Sequence, residues 1–279
     1  IRDDLVTGVQ TCALPISDYR GASNMETSHS VTVLTQDLIR SRGAQHFEDV
    51  INGVANVNFA AGSNRARFFQ IRGIGERSQF VNPVNPSVGL LIDDVDFSGA
   101  GTIATMMDVA QVEVLRGPQG TRYGANALAG LINIKTNDPT ADRSAEFSLT
   151  AADYDTRTLG LVLNGPLGDS LNGRLVLEDH QSDGYIENIY LDKDDTNGRD
   201  ERTVRGKLAW QADDNLSIDL SLASVYIDNG YDAFSLDGCP NEPVFCKARR
   251  TLSDEPGFDR QETLYASLKG SLKIGRAHV

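Results

Sequence analysis

Beyond residue 140 the chain alternates apolar and polar residues with a period of two, segment after segment, as far as residue 273. Phe147, Leu149 and Ala151 share one face of 146–151, and Leu159, Leu161 and Leu163 share one face of 156–164. In 170–180, Leu171, Leu175 and Leu177 oppose Asn172, Arg174, Glu178 and His180; in 201–211, Val204, Leu208 and Trp210 oppose Arg205 and Lys207. The longest stripe sets Leu216, Ile218, Leu220, Leu222 and Tyr226 against Ser217, Asp219 and Ser221. A last one sets Leu264, Ala266, Leu268 and Leu272 against Ser267, Lys269 and Lys273. Successive side chains of a strand point to opposite faces, so this pattern commits the second half to sheet with one apolar face. The six strands are each close to or above the roughly 9–11 residues that cross an outer membrane at a tilt.

The connections carry a second signal. Residues 165–169 and 213–215 are short turns, whereas 181–200 and 229–260 are long and polar; a first short connection lies at 153–155. Membrane barrels have short turns on the periplasmic side and longer loops outside. Soluble antiparallel sandwiches alternate along their strands too, but strand length and loop asymmetry together favour the barrel. No apolar run approaches the roughly 20 residues of a membrane helix; the best is 88–92. Trp210 sits beside a short turn and Tyr226 near the far end of the next strand, where interfacial aromatics belong, although ordinary sheets hold such residues as well.

Charge narrows the partners. The chain has 26 Lys and Arg against 39 Asp and Glu, a net charge of −13. Residues 1–140 hold 11 basic and 14 acidic side chains, leaving 15 and 25 for the remainder. This balance argues against nucleic acid, which requires a basic surface.

The first half reads differently. Strands are expected at 31–35, 68–72, 88–92, 109–115 and 131–136, each bounded by Gly, Pro, Asn or Asp. Helices are expected at 36–42 and 46–51, stopped by Gly43 and Gly53. The result is a small, glycine-rich α+β domain.

Four blocks in this half carry a resemblance. They are SVTVLTQDLIRSRGAQHFEDVINGVANVNFAAG (30–62), FFQIRGIG (68–75), SVGLLIDDVDFSG (87–99) and DVAQVEVLRGPQGTRYGANALAGLINIKTNDPT (108–140). In this order they resemble the plug domain of TonB-dependent outer-membrane receptors, over about 27–140. The alternating segment 141–273 is similar to the barrel that follows such plugs. The implied fold class is an α+β plug followed by antiparallel transmembrane β-barrel strands, an incomplete barrel: six strands against about 22 in a plugged transporter barrel. The chain is therefore expected to be the N-terminal part of a longer receptor.

The resemblance implies function as well: energy-coupled uptake of a scarce nutrient through the outer membrane of a Gram-negative bacterium, most often a ferric siderophore, with no covalent chemistry. Cobalamin, haem and glycan uptake are the alternatives within the family; a secreted soluble β-rich binding module is the alternative outside it. The implied partners are the TonB energy-transducing protein, a small-molecule ligand and outer-membrane lipid, with no resident cofactor. Arg72 and Arg116 are implied to latch the plug to acidic residues of the inner barrel wall, through charge-assisted bonds that can be released. Salt bridges within the plug are the other reading of the same arginines. Gly73, Gly117, Gly120, Gly124 and Gly130 are expected to supply tight turns and close strand approach.

The chain departs from the family at several places. Asp94 stands where Gly usually follows the Asp of the family's turn, and Ala55 replaces a common proline. The TonB box is not recognisable in 18–29. Within 1–26, VTGVQTCALPIS resembles translated sequencing-adapter read-through, as does IGRAHV at 274–279; both ends are expected to be non-native or disordered. Ligand contacts are expected on plug apices and outer loops, around 76–86 and 229–260, without a decodable rule. Cys239 and Cys246 bracket six residues in the loop that the topology puts outside the cell, and a disulfide there is expected rather than free thiols. It would be worth roughly 2–3 kcal/mol. The acidic run 191–201 fails as an EF-hand, because position 197 is Asn and position 203 is Thr. GPQGTRYG lacks the Gly-Lys-Ser/Thr of a phosphate loop. The scattered histidines offer no catalytic set.

Overall fold

The computed structural model describes residues 30–61, 65–77, 83–101, 105–231 and 249–275. The chain divides into two compact units, 1–137 and 138–279.

In the first unit β1 (Ser30–Thr35) leads directly into α1 (Gln36–Ser41). The Thr35 hydroxyl accepts from the Leu38 amide at 3.4 Å, and Gly43 closes the helix at φ +60°. A second short helix, α2 (Phe47–Ile51), starts at His46, whose amide donates to the Asp49 carboxylate at 2.9 Å. Its face of Phe47, Val50 and Ile51 is fully buried, as residues three and four apart on one helix side should be. The helix ends just before Gly53, as expected, with the Gly53 amide donating to the Val50 carbonyl at 3.1 Å, but without a positive φ at that glycine. A Cβ there would lie 2.2 Å from the Arg42 guanidinium, so its smallness makes room for that side chain, which donates to the Val50 carbonyl.

β2 (Val57–Ala61) pairs antiparallel with β3 (Ala66–Ile71). β4 (Val88–Ile92), β5 (Val95–Asp96), β6 (Val109–Arg116), the single turn α3 (Gly120–Tyr123) and β7 (Gly130–Thr136) follow. The main sheet runs β1-β6-β7-β4-β5, with β4 parallel to β7. β4 is buried at every residue, and β6 at every residue but its last, Arg116. That is why these strands read as continuous rather than alternating apolar runs. β2, β5 and α3 were not expected from the sequence. Asp93 and Asp94 both take positive φ, +47° and +67°, forming the two-residue turn between β4 and β5. Asp94 thus occupies the glycine position of the family turn in the left-handed conformation that Asp tolerates. The Asp93 carboxylate secures the turn by accepting from the Thr136 amide and hydroxyl, at 2.9 and 2.7 Å.

The second unit is built on β8 (Ser144–Ala152), β9 (Thr156–Pro166), β10 (Leu171–Ser182), β13 (Arg199–Gln211), β14 (Leu216–Tyr231) and β16 (Gly257–Leu272). These six pair antiparallel with each sequential neighbour in one sheet. The long connections are not plain loops. β11 (Ile186–Asn188), β12 (Lys193–Thr196) and β15 (Arg250–Thr251) form a separate small sheet, in which β15 returns parallel to β11. The long polar connections at 181–200 and 229–260 thus carry short strands of their own among the described residues.

The polarity of the large sheet is inverted relative to a soluble protein. Phe147, Leu149, Leu159, Leu163, Leu175, Val204, Leu208, Trp210, Leu222, Leu264, Leu268 and Leu272 are all exposed. The register makes them contiguous: Leu149 faces Leu159, Leu163 faces Leu175, and Leu208 faces Leu220, which faces Leu268. On the opposite face Thr158, Asn164, Glu178, His180, Glu201, Thr203, Arg205, Lys207 and Asn229 are buried. His180 Nδ1 lies 2.8 Å from the Thr158 hydroxyl, and Asn229 donates to Glu201 at 2.6 Å. Leucines outward and hydrogen-bonded polar groups inward is the arrangement of a lipid-facing barrel wall. A soluble sandwich buries its leucine stripe instead. Among the described residues no helix is long and apolar enough to cross a membrane.

Candidate functional site

The candidate site of the first unit lies where the ends of β3 and β6 meet the segment before β2. β3 ends at Ile71, and the next two residues, Arg72 at φ +54° and Gly73 at φ +81°, turn the chain sharply. Ile71 and Ile74 exchange backbone hydrogen bonds across that turn, at 2.9 and 3.1 Å. The Arg72 amide donates to the Asn56 carbonyl at 2.9 Å. Arg72 is therefore a turn residue, not the last residue of a strand as the sequence suggested. The turn aims its side chain outward, and it is exposed.

Arg116 approaches the same place from β6. Its guanidinium donates to the Thr32 hydroxyl at 2.8 Å and to the Ala55 carbonyl at 3.1 Å. The two arginines thus converge on the 55–56 backbone from separate strands. Burial lowers the pKa of the Arg116 guanidinium from its ordinary value, and the like charge of Arg72 lowers it further. Among the described residues no carboxylate forms an ion pair with either arginine.

The glycine-rich block between β6 and β7 is a closed, hydrogen-bonded excursion. The Gly117 amide donates to the Ala129 carbonyl at 3.0 Å, and the Gln119 amide to the Ala127 carbonyl at 2.8 Å. Ala127 is fully buried with Leu91, Leu115 and Leu131. Gly117 and Gly124 take positive φ, +99° and +81°, as their turns require. Gly130 acts by close approach: a Cβ there would sit 2.6 Å from both the Leu115 carbonyl oxygen and Ile71 Cδ1. Gly120 has neither property, since it opens α3 and a Cβ placed on it would meet nothing within 4 Å. Its expected turn role is corrected on that ground. Gly130→Ala is accordingly expected to lower plug stability by about 1–3 kcal/mol. Gly120→Ala should be neutral, or stabilising by up to about 1 kcal/mol. Thermal melting of the two variants, followed by amide exchange in plug peptides, separates these outcomes.

At the end of the second unit away from the short turns, an aromatic and arginine cluster escaped sequence reading. Arg249, in the left-handed region at φ +68°, donates to the Tyr154 hydroxyl at 3.1 Å and lies over the Tyr185 ring at 5.6 Å. The two tyrosine rings are 5.8 Å apart, and both are nearly half exposed. The cluster joins the β8–β9 turn, the segment after β10 and the approach to β15, three places with no sequence signal to link them. Cys239 and Cys246 lie outside the described residues, as do 78–82 of the expected apical segment. Among the described residues no group of three or more His, Cys, Asp or Glu could hold a metal ion.

A compact sheet with paired arginines is followed in the chain by long strands with leucines outward. Residues 23–131 match the family model of the TonB-dependent receptor plug domain. Residues 23–131 are thus a plug domain of the TonB-dependent receptor family, and the relatives similar to the chain are TonB-dependent receptors of the Gram-negative outer membrane. The chain is 34% identical over 145 residues to the pesticin receptor of Yersinia enterocolitica, a match spanning 52% of this chain and 21% of that one. It is 26% identical over 216 residues to the vitamin B12 transporter of Vibrio vulnificus, spanning 76% of this chain and 34% of that one. Among solved structures, the ferric yersiniabactin uptake receptor of Yersinia pestis shares the fold with a TM-score of 0.74 at 24% identity, over 88% of this chain and 38% of that one. The chain thus spans between about a fifth and two fifths of the length of these relatives.

Proposed function

We propose that this chain belongs to a receptor for energy-coupled uptake of a ferric siderophore, driven through a TonB-type transducing protein. The observation that carries the reading is the junction of a TonB-dependent receptor plug to a sheet with its leucines outward. The siderophore assignment draws on relatives named as receptors for ferric yersiniabactin and for catecholate siderophores. The Tyr154, Tyr185 and Arg249 cluster supports it chemically, offering an aromatic platform and a guanidinium to an anionic chelate. The vitamin B12 relative, matched over 76% of this chain, makes cobalamin the second reading. Complementation of a receptor-deficient strain with the full-length gene decides between them. Growth on iron-limited medium restored by a purified ferric siderophore supports the proposal. Growth restored only under cobalamin limitation overturns it.

Arg72 and Arg116 are proposed as the plug's releasable latch to acidic residues of the barrel wall. Two guanidinium groups brought together with no ion-paired acid among the described residues favour an external carboxylate partner. Each such charge-assisted contact is worth about 1.5–3 kcal/mol. The double variant Arg72→Ala/Arg116→Ala is expected to loosen the plug in the intact receptor, seen as faster amide exchange in 30–35 and 109–116. Sensitivity to large antibiotics normally excluded by the outer membrane should rise with it. Unchanged exchange and permeability would remove the latch role.

A further inference from the structure

The lipid-facing side of the large sheet is not a uniform apolar band. Near the short-turn rim it is hollowed into a groove of about 670 Å³, within the roughly 300–1,000 Å³ of small-molecule sites. The cause lies in sequence and register. Gly165 on β9 faces Gly173 on β10, so two adjacent strands lack side chains at the same level. Leu163, Leu175 and Leu208 remain as its apolar walls, and Leu167 reaches in from the turn. A Cβ on Gly173 would meet Leu167 Cδ1 at 2.7 Å, so that leucine already leans over the gap.

The mouth of the groove carries one positive charge. The stem of Arg143 lies over Gly165, its Cγ 3.1 Å from where a Cβ would be. The residue is exposed, and its guanidinium forms no ion pair among the described residues. Trp210, on the same outward face and opposite Leu171, marks this rim as the level where the hydrocarbon meets the headgroups.

We propose that this groove is a binding site for an anionic phospholipid of the periplasmic leaflet. One acyl chain lies between Leu163, Leu175 and Leu208, and the phosphate is held by Arg143. Continuity with the lipid-facing leucines supplies the chain, and the unpaired cation at the headgroup level selects the negative head. The site rests on the outer-membrane placement but not on the nature of the transported ligand.

The test places the full-length receptor in nanodiscs with photoreactive phosphatidylglycerol or phosphatidylethanolamine carrying the reactive group on an acyl chain. The phosphatidylglycerol probe is expected to label 163–175 and Leu208 in preference to Leu264 and Leu268 of the open band. Arg143→Gln should lower that labelling about fivefold and lower the phosphatidylethanolamine signal, whose phosphate is partly neutralised by its own ammonium, by less. Ala145→Leu, which narrows the groove from β8, should lower both. Heat-modifiable gel mobility identifies folded receptor, and Arg143→Lys, which keeps the charge, should retain labelling. Even labelling along the whole band, or groove labelling indifferent to Arg143→Gln, overturns the proposal. Absence of label on every outward leucine would instead count against the membrane placement.

Discussion

Leu220→Arg is expected to cost about 2–4 kcal/mol, the penalty of a cation on the lipid face of a barrel at mid-membrane. Leu220 stands on β14 between Leu208 of β13 and Leu268 of β16, so it centres an unbroken leucine row. It lies four residues from Leu216 at the short-turn end and six from Tyr226 at the far end of the stripe. An arginine there can reach neither interface without distorting the row. Ser267→Arg is the matched control: it sits one position along β16 from Leu268 and faces the polar side, opposite Ser221. That variant should cost far less. Urea unfolding of both receptors in bilayers, read by heat-modifiable mobility, measures the difference. Equal costs would mean that the leucine face does not meet lipid.

Phe47→Ala is expected to remove about 3–5 kcal/mol from the plug, a large share of the roughly 5–15 kcal/mol that holds a domain folded. Phe47 is fully buried on α2 and packs edge-to-face on Phe69 of β3, with ring centroids 5.6 Å apart. It ties the helical layer to the small β2–β3 sheet, so the cavity opens at a junction with few ways to collapse. Amide exchange should accelerate across 47–71 and along β6, while barrel mobility on gels stays normal. Phe258→Ala, at a residue 67% exposed on β16, should change neither.

These predictions rest on features of unequal visibility in the sequence. The six long strands were legible because lipid on one side and polar surface on the other impose a period of two on every strand. β4 and β6 were legible for the opposite reason: burial on both faces leaves short apolar runs between turn residues. β2 was missed because Val57–Ala61 lies in a stretch of Asn, Ala and Gly with no dominant period. β15 was missed because two residues become a strand only when chain from about 60 positions away arrives beside them.

The site divides in the same way. Gly117 and Gly124 could be anticipated, since tight turns within a dense block select glycine for its backbone freedom. Gly120 was misjudged because glycine also occurs where nothing demands it. Arg72 and Arg116 were singled out by resemblance. Their convergence on the 55–56 backbone is a matter of tertiary geometry that no local pattern records. The Arg249 cluster, drawn from three distant segments, shows the same limit.

The inverted sheet also bears on the route the chain takes before it reaches its final setting. In water, the leucine rows of β9, β10, β13, β14 and β16 have nothing to bury against. A sheet assembled too early would stick face to face with its copies through those rows. Transit across the aqueous compartment therefore favours a chain kept unfolded by an escort, with strand pairing postponed until lipid is at hand. The timing of folding is thus set by the solvent that the outward leucines require.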